Sequence, residues 1–301
     1  LLFNQEQGQV TVEVDKVTDY HWTSDMAERI VKETLWKARV VTSPFSDSQT
    51  VHTVRDYLYA SAERPSILRR LGERIFRPQV FETGGVRITM LGGAQQVGRS
   101  SIMVETTESK VLLDFGIDPH AENNFERLPR IDARPREVLD LDAVVISHAH
   151  LDHSGAVPYL FKYNYDGPVF ALEPTVSLST LLQRDYLNVA ARRGEFPPYS
   201  EQDVRDALLH TIPIEYHRRI RIAPDLALTA HNAGHILGSA MLHLDVGDGS
   251  RSILYTGDFR FGRTQLLDPA EHRFSRLDTL IIESTYGRTP VPLTRAAAEA
   301  T

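Results

Sequence analysis

The segment His148-Ala149-His150-Leu151-Asp152-His153 follows directly on the apolar run Leu141 to Ser147 and packs four metal-ligand side chains into six residues. Val144, Val145 and Ile146 read as a buried strand, and a strand that stops at Ser147 delivers His148 and His150 to one side of the chain by the period-two rule. Asp152 and His153 are then set toward a second position. Imidazole and carboxylate at that density suit borderline divalent ions such as zinc, which take nitrogen at about 2.0 to 2.1 Å and carboxylate oxygen at similar range. The segment reads as half of a two-metal hydrolytic site. The competing reading is a polar turn carrying surface histidines.

Two more segments supply context, each at the end of a strand-like run. Leu226 to Ala230 leads into His231-Asn232-Ala233-Gly234-His235-Ile236-Leu237-Gly238-Ser239. Glycines 234 and 238 permit the close backbone approach that a loop wrapped around a metal requires, which favours His235 as a ligand. His231 reads instead as a structural residue at a strand end. In Ile253-Leu254-Tyr255-Thr256-Gly257-Asp258 a carboxylate follows a glycine at a strand end, where it can bridge two metals.

Taken with Leu112-Leu113-Asp114-Phe115-Gly116 and Glu283-Ser284-Thr285-Tyr286-Gly287, these segments resemble the metallo-β-lactamase superfamily, and more narrowly its β-CASP nucleases. The Glu-Ser-Thr-Tyr-Gly segment discriminates, because the RNA-cleaving branch carries it while hydrolases of thioesters and lactams share only the other patterns. The resemblance extends over Leu91-Gly92-Gly93 through Gly98-Arg99-Ser100, where the family usually has a glutamate and this chain has Gln96.

That resemblance implies one metal held by His148, His150 and His235, a second by Asp152 and His153, and Asp258 bridging them. The cofactor it implies is zinc, two ions in the complete enzyme. Asp114 would orient a ligand or the metal-bound water, although Leu113 to Gly116 is also an ordinary strand-to-turn transition. The expected reaction is cleavage of RNA phosphodiester bonds, as an endoribonuclease with or without exonuclease action, in 3′-end processing or transcription termination. A two-metal-bridged hydroxide would be the nucleophile, since coordination lowers the pKa of water toward about 7. Asp152 would assist deprotonation and Glu283 would work near the leaving group. The partners implied are single-stranded RNA, a second copy of the full-length protein, and RNA polymerase or ribosome-associated machinery.

In β-CASP nucleases a capping domain is inserted after Glu-Ser-Thr-Tyr-Gly, and the chain then returns with a last metal-binding histidine. Beyond Asp258 this chain has only His272, whose neighbours Glu271, Arg273 and Phe274 do not resemble that ligand's setting. The expectation is therefore an incomplete metallo-β-lactamase αββα sandwich over residues 81–301, ending where the β-CASP insertion would begin, as a fragment, a split half or a remnant. Unpartnered strands and faces would then invite aggregation.

Residues 1–80 read as a separate α+β unit of the α/β chain. Gln9 to Val14 alternates as a half-buried strand, Ser24 to Leu35 as a helix with Ile30, Val31 and Leu35 inward, and Ala38 to Val41 as a second strand. Ser46 to Arg77 carries a helical pattern broken near Pro65. This order resembles the KH-type domain preceding the catalytic region in archaeal homologues of the cleavage and polyadenylation specificity factor, through Thr34 to Pro44, Arg64 to Arg77 and the direct join to Leu91-Gly92-Gly93. A KH domain grips backbone phosphates with Gly-x-x-Gly, and the corresponding place reads His21-Trp22-Thr23-Ser24, so a degenerate KH-like fold is expected. Trp22 reads as core cover ahead of a base-stacking platform. Arg69, Arg70, Arg74 and Arg77 recur near helical spacing, as a basic stripe or a solvated helix face.

Composition bounds the alternatives. Forty-two per cent hydrophobic and 24% charged residues, with no run near the ~20 apolar residues that span a bilayer, indicate a globular, non-membrane chain. The absence of cysteine excludes disulfides and thiolate ligands, leaving His and Asp as donors, and fits a cytoplasmic location. A net charge of −7 argues against broad nonspecific nucleic-acid binding. Helices are expected over 174–191 and 200–209, and the aromatics Phe161 to Tyr165 read as core and loop ahead of nucleotide contact. Two further readings stand beside the nuclease: a small-molecule hydrolase of the same superfamily, which needs neither the KH-like unit nor Glu283, and a noncatalytic RNA-binding fragment.

Overall fold

Gln9 to Val14, alternating in sequence, forms a partly buried strand at the centre of the first sheet, with Val10 buried. The computed structural model describes residues 2–4, 8–14, 20–42, 48–130, 140–247, 249–285 and 287. Leu2–Asn4 (β1), Gln9–Val14 (β2) and Lys37–Thr42 (β3) form a three-stranded sheet in that order, antiparallel and then parallel, with helix Tyr20–Thr34 (α1) as the crossover.

The helix differs from the sequence reading at both ends. It begins at Tyr20, so His21 to Ser24, read as the place of the KH loop, lie in its first turn; with no glycine to favour another backbone geometry, they continue the helix. It ends at Thr34, and Leu35 takes a left-handed φ of 63°. That geometry turns the expected inward side chain out: Leu35 is 88% exposed and Val31 41%, leaving Ile30 as the half-buried contact. Pro44 and the side chain of Trp22 lie outside the described residues.

Gln49–Arg55 (α2) runs into a π-helical turn at Asp56–Ala60, and Arg64–Ile75 (α3) follows with Pro65 in its first turn, where the missing N–H costs nothing. The break therefore falls just before the proline. On α3 Arg74 pairs with Asp166, and just past its end Arg77 pairs with Asp142, so half of the arginine stripe is committed to ion pairs while Arg69 and Arg70 stay exposed.

Consecutive apolar residues then make a sheet whose inner strands are buried on both faces. Arg87–Gly92 (β4), Ser101–Glu105 (β5), Lys110–Leu113 (β6), Ala143–Val145 (β7), Val169–Leu172 (β8) and Thr211–Ile214 (β9) form a six-stranded sheet in that order. It is antiparallel from β4 to β6 and parallel from β6 to β9. Short helices Asn124–Arg127 (α4), Leu151–Ser154 (α5) and Val157–Lys162 (α6) precede the longer Glu173–Arg193 (α7) and Glu201–Leu209 (α8), both where helical pattern was expected. Ile220–Ala223 (β10), Leu226–Asn232 (β11), Ala240–Val246 (β12), Arg251–Tyr255 (β13) and Thr279–Ile281 (β14) form the second sheet.

The two sheets close on one apolar layer that includes Val104, Leu113, Val145, Leu228, Leu242 and Ile253. A second layer joins the outer face of the six-stranded sheet, through Met103, Leu112 and Val144, to α6 and α8. Phe161 and Tyr165 belong to this layer, which settles them as core. Among the described residues no helix follows β9, and the far side of the second sheet is covered by Phe259, Ala270, Phe274 and Leu277 instead. No helix among the described residues is long and apolar enough to cross a membrane.

Helices α2 and α3 are part of the main core: Val54 and Leu58 join the helix-side layer, and Ile67 and Leu71 pack on Leu209. The buried Arg64 fastens α3 by donating to the carbonyls of Leu209 and Thr211, both at 2.8 Å. Replacing Arg64 by Leu removes charge-assisted bonds in a dry setting, and should lower unfolding free energy by about 2 to 4 kcal/mol, read as a fall in urea midpoint at unchanged slope.

Candidate metal centre

Strand ends converge on one point. β7 leads through Ile146 and Ser147 to His148, β11 through Ala233 and Gly234 to His235, and β13 through Thr256 and Gly257 to Asp258. Gly257 has φ 51°, and a Cβ there would sit 2.8 Å from the Ser147 side chain, so glycine is what lets the Asp258 turn approach the end of β7. The His235 loop is held by the Ser239 hydroxyl, which accepts from the backbone N–H groups of His235 and Ile236.

His148, His150, His235 and Asp258 bring one donor atom each within 4.8 Å of one another. His150 Nδ1 lies 3.1 Å from His148 Nε2 and 3.3 Å from His235 Nε2, and Asp258 Oδ2 lies 3.9 and 3.7 Å from the same two nitrogens. The three rings stand edge to face, at interplanar angles of 79°, 86° and 81°. An ion bound by nitrogen at about 2.0 to 2.1 Å in tetrahedral geometry sets neighbouring donors about 3.3 Å apart. Three imidazole nitrogens facing one point cannot all be satisfied by hydrogen bonds to each other, whereas one cation satisfies all three. The donor set fits a divalent metal.

Asp258 offers its second oxygen elsewhere: Oδ1 lies 3.4 Å from His153 Nε2, which lies 3.8 Å from Asp152 Oδ2. The carboxylate thus divides its oxygens between two groups, the geometry of a bridge. His153 Nδ1 donates to Asp114 Oδ2 at 2.7 Å.

Asp114 is fully buried at the end of β6 with φ 57°. Its Oδ1 accepts from the Ser147 backbone N–H at 2.7 Å, and its Oδ2 accepts from Ser147 Oγ at 2.7 Å, from Tyr255 OH at 2.8 Å and from His153. Because Ser147 gives its one hydroxyl proton to this carboxylate, it can only accept from His148 Nδ1, 3.0 Å away. His148 therefore presents a bare Nε2 to the other donors. The sequence reading named Ser147 and Tyr255 as strand residues and gave neither a role beside Asp114; a period of two along their strands places them on a face but not against a partner.

Charge separates the two groups. Burial, assisted by the neighbouring histidines, holds His148 well below the ordinary histidine value, and burial also lowers His235 despite Asp258. For His153 burial acts downward too, but Asp114 and Asp258 outweigh it and push the imidazole up to about 10. Asp258 is held below the usual carboxylate range: burial raises it, and the bond from His153 with the surrounding imidazoles overcomes that.

Glu283 stands across the cleft, donating its backbone N–H to Thr256 Oγ1 and accepting from the Thr285 N–H at 2.7 Å. It shares a cleft of about 980 Å³ with Asp152, His153 and Asp258, and with Gln96, which accepts from Arg99. Tyr286 lies outside the described residues. His231 stands apart from the four donors and pairs with Glu271 at 3.0 Å, while His272 packs beside Phe261.

Residues 103–283 match the family described as metallo-beta-lactamase superfamily domain, and the chain belongs to that superfamily. Over 292 residues it is 43% identical to "Transcription termination factor FttA" of Methanocaldococcus jannaschii, covering 95% of this chain and 45% of that protein. The protein of the same name from Pyrococcus abyssi is 42% identical over 296 residues, covering 95% of this chain and 46% of its own length. The chain thus spans a little under half the length of these curated relatives. Among solved structures, the metallo-beta-lactamase fold protein YhfI of Bacillus subtilis overlaps 59% of this chain and 64% of its own, with TM-score 0.37 and 15% identity.

Two predictions follow from the geometry. Filling the Asp152, His153 and Asp258 position must displace a proton from His153 below about pH 10, so its affinity should rise about tenfold per pH unit up to there. Burial disfavours a proton on His148 and His235, so calorimetry in buffers of differing ionisation enthalpy should count one more proton for the ion at the His153 position than for the other. Second, a Cβ on Gly116 would lie 1.7 Å from the Asp152 carbonyl oxygen and 2.6 Å from the His153 nitrogen, both backbone atoms. Gly116→Ala should therefore displace the Asp152 turn and abolish metal uptake at that position, whereas Gly72→Ala, in α3 with open space around it, should stabilise by about 1 kcal/mol.

Proposed function

We propose that this chain carries the two-metal centre of a zinc-dependent ribonuclease that cleaves phosphodiester bonds of single-stranded RNA, in transcription termination or RNA 3′-end processing. The observation that carries the reading is the division of Asp258 between His148 and His235 on one side and His153 on the other. All-nitrogen-and-oxygen donors in near-tetrahedral spacing favour zinc. The likeness to curated transcription termination factors supports RNA as the substrate.

In this reading His148, His150 and His235 hold one ion, Asp152 and His153 hold the second, and Asp258 spans both. Zinc, when bound, supplies Lewis acidity and makes water acidic enough to act near neutral pH. Asp114 fixes His153 and, through Ser147, the tautomer of His148, the orienting work that such outer partners do. Asp152, half-exposed in the cleft, receives the proton of the attacking water. Glu283 faces the leaving-group side. Within residues 1–80, expected as a KH-like unit, the three-stranded sheet with α1 would orient RNA without a Gly-x-x-Gly grip, while α2 and α3 pack into the core of the 81–301 catalytic unit. The full-length protein works in the cytoplasm as a homodimer beside the transcription machinery.

The test pairs elemental analysis with cleavage of a labelled single-stranded RNA by the wild-type chain and Asp152→Ala. Two zinc ions per chain and cleavage lost in the variant are expected. Cleavage that survives Asp152→Ala undiminished would overturn the assignment, and hydrolysis of a thioester or lactam with RNA left intact would point to the small-molecule branch.

A further inference from the structure

A second group of donors lies outside the centre described above. His217, on the turn between β9 and β10, His231 near the end of β11, and Glu271, on the segment covering the second sheet, place one ligand atom each within 4.8 Å of one another. Glu271 Oε1 accepts from His217 Nε2 at 2.7 Å and Oε2 from His231 Nδ1 at 3.0 Å, while the imidazoles stand at 67° with centroids 5.7 Å apart.

We infer that His217, His231 and Glu271 form an additional, exchangeable binding site for a divalent transition metal. Two imidazoles and one carboxylate are a donor set that borderline ions accept, with room left for water at the open side. The opening is real: the His217 side chain is 63% exposed, so an ion reaches the site without passing through the core. His217 is also held at φ 60°, a left-handed conformation that a residue with a Cβ adopts at a cost, fixed here by its N–H bond to the Ala230 carbonyl.

The site bears on the loop that carries His235. Glu271 Oε1 also accepts from the Asn232 backbone N–H at 2.8 Å, and Asn232 Oδ1 accepts from the Gly234 N–H at 3.0 Å. An ion on Glu271 would brace this segment without contributing to the centre itself.

Cobalt(II) titration followed by visible absorption, with metal counting by native mass spectrometry, tests the inference. The wild-type chain should bind one ion more than His217→Ala, whose exposed side chain can be removed without opening the core, and Glu271→Gln should weaken the same step by at least about tenfold. A chain with His148→Ala and His235→Ala should retain that one ion. Equal stoichiometry and affinity in wild type and His217→Ala would overturn the site and leave the three residues as a hydrogen-bonded clasp; this comparison decides even if the double variant does not fold.

Discussion

A charged carboxylate with no solvent contact is tolerated only when its lone pairs are taken, and Asp114 takes four donors. Those donors come from three places: Ser147 at the end of β7, His153 in α5 and Tyr255 on the opposite sheet. One side chain thus binds the two sheets together and fixes two histidines at once. Tyr255, whose burial and nearness to Asp114 push its hydroxyl well above the ordinary tyrosine value, can act there only as a neutral donor. Stability and site geometry are therefore the same interaction. The left-handed φ of Asp114 is the local cost of aiming the carboxylate back at β7 rather than out along the strand.

The same arrangement sets the two proposed metal positions apart. The trio of His148, His150 and His235 has no carboxylate beneath it, and burial keeps His148 and His235 neutral, ready to donate lone pairs. His153 sits between Asp114 and Asp258 and keeps its proton. Asp258 thus faces an imidazolium through Oδ1, so an ion at the proposed second position would have to take the place of that proton, whereas one among His148, His150 and His235 would meet neutral rings at His148 and His235.

Sequence made the candidate donors legible because their chemistry is local. A strand followed by His-x-His-x-Asp-His has few other uses, and the period of two placed His148 and His150 together before any fold was known. The glycine-flanked His235 and the Gly257-Asp258 pair were legible for the same reason, as was the assignment of His231 away from the centre. What escaped was partnership across sequence: Tyr255 meets Asp114 across 141 residues, and His217 meets Glu271 across 54, with nothing local to announce either. The amino-terminal helix was read one turn late and its face misjudged, because Leu35 terminates it in a conformation usually left to glycine. Strands buried on both faces were easier, since continuous apolar runs have one common explanation in a sandwich.

Charge around the cleft adds a constraint on the proposed substrate. Among the described residues lining it, Asp152, Asp258 and Glu283 are acidic, and no lysine or arginine is present. A phosphodiester approaching the metal-free cleft meets like charge in a confined space, where screening is weaker than in bulk solvent. Bound divalent ions reverse that sign, so in this site the ions that activate the chemistry also make the cleft attractive to an anion. For the RNA substrate proposed above, affinity and metal loading would then be coupled by electrostatics, and the overall charge of −7 would cease to argue against it.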